Sequence, residues 1–152
     1  MHQHTASVTL SCSLSGLRQF LGRPVNLPRI SDPELALEIL NAPEEVTEGE
    51  VIEFRITAYG FKQRATNRYT VISDNEISEE QTDGPLRAWK HRQSMTQNAD
   101  GTVTLTDTFE FEPPGGMMGF VMTAGKITES LEEGLQFRYE TLQQLVADGE
   151  IS

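Results

Sequence analysis

The chain of 152 residues has the length of one domain, and 37 % of its residues are hydrophobic, enough for a core and too many for a wholly disordered polymer. Its 23 acidic residues against 12 basic ones leave a formal net charge of −11, with no stripe of Lys and Arg to grip phosphate backbones or anionic membrane surfaces. Cys12 is the only cysteine, which excludes an internal disulfide.

The opening Met1–Ala6 lacks the basic-then-apolar pattern of a secretory leader, and no apolar run reaches about 20 residues. A cytoplasmic location is therefore expected. Val8, Leu10, Cys12 and Leu14 alternate with polar residues and predict a first strand. From Ser15 to Pro33 the period changes. Leu17, Phe20 and Leu21 have helical spacing, while Pro24, Pro28 and Pro33 restrict any helix to short pieces.

Between Leu35 and Phe111 the chain reads as strands punctuated by turns such as Tyr59-Gly-Phe, Asp83-Gly-Pro and Asn98-Ala-Asp-Gly. Such close spacing predicts an antiparallel meander. Glu112-Pro-Pro-Gly-Gly then stops the sheet. Met117, Phe120, Val121, Ala124, Ile127, Leu131, Leu135, Leu142 and Leu145 form one stripe, predicting a single helix of about 45 Å ending near Ala147. Gly125 and Gly134 within it mark close approaches or bends. The whole is expected to be one α+β domain over 1–152, with an ordered core of about 6–147 and fraying ends. One helix covering a curved sheet leaves a cavity.

Alternation along the strands selects the side chains that face this interior. Ile52, Phe54, Ile56 and Ala58 face in, as do Ala65, Asn67, Tyr69 and Val71. Val103, Leu105, Phe109 and Phe111 share their face with a carboxylate, Asp107. Trp89 and Met95 share theirs with Arg87, His91 and Gln93, and Ile77 shares its own with Glu79 and Gln81. Buried polar groups are costly unless paired, so this concentration is informative. A three-residue turn at Ala99-Asp100-Gly101 places Asp107 opposite Gln93 and diagonal to His91; a five-residue turn places it opposite His91.

Gly60-Phe-Lys-Gln-Arg, Gly84-Pro-Leu-Arg-Ala-Trp-Lys-His, Gly101-Thr-Val-Thr-Leu-Thr-Asp, Pro113-Pro-Gly-Gly and Asn26-Leu-Pro-Arg-Ile resemble segments of the START-like (SRPBCC) superfamily, which includes polyketide cyclases and the birch-pollen-allergen fold. The resemblance extends over nearly the whole chain. It implies a helix-grip fold of about seven strands, two short helices after the first strand, and a long C-terminal helix enclosing a hydrophobic pocket. Such proteins bind lipids, quinones and polyketide-like compounds, and a minority are enzymes. Trp89, His91 and Asp107 are the pocket features the resemblance carries over.

Three functions follow as expectations. The first is binding of a hydrophobic or amphipathic small molecule by Tyr69, Glu79, Gln81, Trp89, His91, Asp107, Phe109, Met122 and Ile127. The second is a cyclase or dehydratase in which His91 is the acid/base and Asp107 orients it; in the structural alternative the same two residues only tie strands together. The third is an interaction domain whose acidic surface meets a basic protein. No cofactor is expected, and His2 and His4 do not make a metal site. Oligomeric state is left open.

Overall fold

The structure, a computed structural model, describes residues 1–152. Its elements are β1 (His2–Leu10), α1 (Leu14–Leu21), two 3-10 segments (Pro24–Ile30 and Pro33–Leu35), β2 (Glu38–Asn41), β3 (Val51–Ala58), β4 (Phe61–Ile72), β5 (Glu76–Asp83), β6 (Ala88–Gln97), β7 (Val103–Glu112), α2 (Met118–Val121) and α3 (Ala124–Ala147). The seven strands form one antiparallel sheet in the order β1-β7-β6-β5-β4-β3-β2, with α3 as the long C-terminal helix.

The strict alternation of β7 explains its place beside β1 and β6. Val103, Leu105, Asp107, Phe109 and Phe111 are all buried, while the residues between them are partly exposed. Asn98 and Thr102 close the β6–β7 hairpin around Ala99-Asp100-Gly101, so Asp107 pairs with Gln93, as the three-residue turn requires. Gly101 takes φ of 88°, a conformation that glycine adopts without steric cost.

Several element boundaries differ from the sequence expectation. The first strand begins at His2 and pairs with β7 from Phe111 to Val103, so the N-terminal residues are held in the sheet instead of fraying. It ends at Leu10 because Ser13 caps the next helix, its Oγ accepting from the Gly16 amide at 3.0 Å. Proline-rich 24–35 forms only 3-10 turns, as expected where φ is fixed and donors are missing.

The long helix starts at Ala124, not Met117. Thr123 Oγ1 accepts from the Lys126 amide at 3.2 Å, and Met122, at φ −100° and ψ 71°, separates α3 from the single turn of α2. Met117 and Phe120, assigned to the buried stripe, are instead 86 % and 83 % exposed. The 24 residues of α3 extend about 36 Å. A Cβ at Gly125 or Gly134 would meet no neighbour, so neither marks a close approach. Beyond α3, Gly149 (φ 81°) turns the chain back. Ile151 is 2 % exposed, and the Ser13 amide and hydroxyl both donate to the Ser152 carbonyl. These residues pack where fraying was expected.

The apolar interior is divided into two lobes. The larger gathers Leu10, Leu17, Met95, Val103, Leu105, Leu142, Leu145 and their neighbours, between α1, β1 and the C-terminal half of α3. The smaller consists of Phe111, Met122 and Ile127, with Trp89, Leu86, Tyr59 and Leu131 packed on them. On β6, β7 and α3 alike, polar residues lie between the two: His91 and Gln93, Asp107, and Arg138.

Candidate functional site

The centre of this polar belt is Asp107, whose side chain is fully buried. His91 Nε2 lies 2.7 Å from its Oδ1, and the Tyr139 hydroxyl lies 2.7 Å from its Oδ2 and 3.0 Å from the Ala6 carbonyl. Arg138 stands behind, with Nε 3.6 Å from Oδ2 and a terminal nitrogen donating to Gln93 Oε1. The second ring nitrogen of His91 faces Glu79 Oε1 at 3.6 Å. The imidazole stacks on Phe109, with centroids 4.1 Å apart and planes inclined by 11°.

These neighbours set the protonation states. Burial opposes the His91 cation, but the facing carboxylates of Asp107 and Glu79 outweigh it and raise the imidazole above its ordinary value. Burial likewise opposes the Asp107 anion, yet the Arg138 guanidinium, the His91 ring and the Tyr139 hydroxyl hold it below the usual carboxylate range. Tyr139 is pushed up by burial and then by Asp107; Tyr69 is pushed up by burial and then by Glu79, its cross-strand partner. The cluster thus sets an imidazole and a guanidinium against the carboxyl groups of Asp107 and Glu79.

Two hollows flank the belt on the inner face. The larger, about 180 Å³, is lined by sixteen residues from β3, β4, β5, β6, α3 and the adjoining loops. Phe54, Ile56, Leu86, Trp89, Met122, Ile127 and Leu131 supply most of its wall, and no lining residue is charged. Its polar groups are the amides of Gln63, Asn67 and Gln81 and the hydroxyls of Tyr59 and Ser130, which hydrogen-bond to each other at 3.1 Å. Tyr59 is held at φ 54° in the two-residue β3–β4 turn with Gly60 (φ 86°), the type I′ arrangement. The smaller hollow, about 150 Å³, contains Glu79, His91, Gln93 and Arg138 and shares Phe54 and Asn67 with the larger.

Four expected site residues, Gln81, Trp89, Met122 and Ile127, line the larger hollow. Glu79 and His91 line the smaller one, while Tyr69, Asp107 and Phe109 line neither. Arg87 precedes β6 and is exposed, so it does not neutralise Glu79 or Asp107. Val71 is 43 % exposed because a register shift between Tyr69 and Val71 turns it outward.

The sequence reading missed Arg138 and Tyr139. A signal was present, since they stand between Leu135 and Leu142 at helical spacing, on the stripe that faces the sheet. It also missed Gln63, which continues the inward series Asn67, Ala65 by one more step of two.

No protein-family model matches the sequence, and no curated protein is similar to it. The fold, by contrast, matches many solved structures. TTHA0849 from Thermus thermophilus has a TM-score of 0.76 at 11 % identity, covering 97 % of this chain and 99 % of its own. A START superfamily protein from Mycobacterium smegmatis gives 0.68 at 14 % identity, with 97 % and 99 % covered. The protein Ara h 8.0201 gives 0.67 at 12 % identity, with 97 % and 98 % covered. The sheet order, the short helices after β1 and the terminal α3 are thus those of the helix-grip fold, and the chain has the START-like architecture.

Proposed function

We propose that the protein binds an uncharged, largely apolar small molecule in the hollow beneath α3. The observation that carries this reading is the uncharged apolar lining formed by the under-filled smaller lobe. A packed interior leaves few voids larger than a water molecule, and a hollow of about 180 Å³ exceeds the roughly 150 Å³ of an engineered cavity that admits benzene. Burial of ligand carbon supplies the affinity, at about 25 cal/mol per Å².

A catalytic role for His91 finds less support. Its Nε2 is occupied by Asp107, its Nδ1 faces Glu79, and the ring does not line the larger hollow. The arrangement suits a strand-to-helix tie. The acidic-docking reading rests on net charge alone.

Trp89 is the only tryptophan and lines the hollow, so its emission reports occupancy. Native mass spectrometry of the purified protein, followed by titration with neutral aromatic compounds, tests the reading. A one-to-one adduct with saturable quenching or a shift of Trp89 emission is expected. Unchanged mass and emission at millimolar ligand would sink it.

A further inference from the structure

Two residues that line the larger hollow, Gln63 and Asn67, carry buried side-chain oxygens with no hydrogen-bond partner. Gln63 is 8 % exposed and Asn67 is 3 % exposed, and Gln63 Oε1 and Asn67 Oδ1 are buried without a partner in the protein. The Gln63 amide is oriented unambiguously, because its Nε2 donates to the Ala58 carbonyl at 3.1 Å and a carbonyl only accepts. Its oxygen is therefore the free end. Gln81 is held the same way, its Nε2 donating to the Leu86 carbonyl at 2.7 Å.

Gln63, Ala65 and Asn67 follow one another on the inner face of β4, opposite Ile56, Phe54 and Ile52 of β3. The small Ala65 between the two amides leaves the wall open where larger side chains would fill it. A buried acceptor left unpaired is costly, so a sheet that keeps one carries a standing penalty that a bound donor removes.

We infer that the ligand of this hollow is a neutral hydroxyl- or N–H-bearing compound whose donor is received by Gln63 Oε1, with the unpartnered amide of Asn67 beside it as a second polar contact. This rests on the ligand-binding reading above and narrows it to a class. Carboxylates are disfavoured, since no cation lines the hollow, and in the adjoining one His91 and Arg138 already face the carboxyl groups of Glu79 and Asp107. A molecule offering only acceptors at that point, such as an ether or a quinone carbonyl, opposes oxygen to oxygen.

The test compares 2-naphthol, 2-methoxynaphthalene and 2-naphthoate by Trp89 fluorescence and calorimetry on the full chain. Expected is binding of 2-naphthol about tenfold tighter than of the ether, with the carboxylate weakest. Gln63→Met keeps the side-chain length without the acceptor, and it is expected to remove the naphthol preference while the ether binds as before. Asn67→Leu is the second variant; with an unpaired buried group replaced by carbon, its urea midpoint is expected to rise while naphthol affinity falls. Equal binding of naphthol and ether by the wild type, or a preference that survives in both variants, overturns the donor assignment and leaves the binding reading intact. No binding of any of the three overturns both.

Discussion

His91 shows how a residue type that suggests catalysis acquires a different role from its surroundings. Its value is raised in the fold, so its contribution to stability is complete below the ordinary 6.5 and is lost as pH rises through the raised value. Asp107 works from the other side. Its value is lowered, so its contribution is present above the ordinary 3.8 and is lost as pH falls through the lowered one. Together they give a plateau between about pH 4 and 6.5 and a decline above it. Urea unfolding across pH, with the His91 ring titrated by NMR, checks this. A midpoint at or below 6.5, or stability that climbs from pH 6.5 to 8, contradicts the paired arrangement.

At the level of elements, α3 performs two tasks along its length. Its C-terminal half packs Leu142 and Leu145 into the larger lobe, whereas Ile127 and Leu131 roof the hollow. Leu142 is fully buried, so Leu142→Ala is expected to cost about 3 kcal/mol. Ile127 borders a space that is already incompletely filled, so Ile127→Ala is expected to cost less, about 2 kcal/mol, at the low end for a buried isoleucine. Denaturant midpoints with unchanged slopes would bear this out; equal costs would mean that the two halves are packed alike.

The same helix shows what the sequence makes legible. Sheet, meander and terminal helix follow from periods of two and 3.6 and from the turn residues, and the Gln93–Asp107 register follows from a three-residue turn. Met117 and Phe120 were misplaced because a hydrophobic stripe does not reveal that Thr123 caps and Met122 breaks the helix. Val71 was misplaced because alternation fails after a bulge that local residues do not announce. The polar cluster was half visible: His91, Glu79 and Asp107 emerged from the strands. Their partners Arg138 and Tyr139 sit more than thirty positions later, and only tertiary packing joins them.

Over the whole molecule, stability is distributed unequally. The larger lobe holds 16 buried residues and the smaller one 3, with the belt of His91, Gln93, Asp107 and Arg138 between them. Local opening follows packing, so amides in β6 near Met95, in β7 near Leu105 and in the last turns of α3 are expected to exchange slowest. Those in the first turns of α3 and in α2 should exchange earlier, and a bound ligand should slow them selectively. Uniform protection across α3 in a hydrogen-exchange time course would contradict this division.

The belt has an evolutionary corollary. Because the hollow lies against the smaller lobe and meets the larger core mainly through the polar belt and Phe54, substitutions at Ala65 or Leu86 can accumulate with little change in the free energy that keeps the chain folded. On the proposed binding function, selection can therefore retune what the hollow accepts without first restoring lost stability.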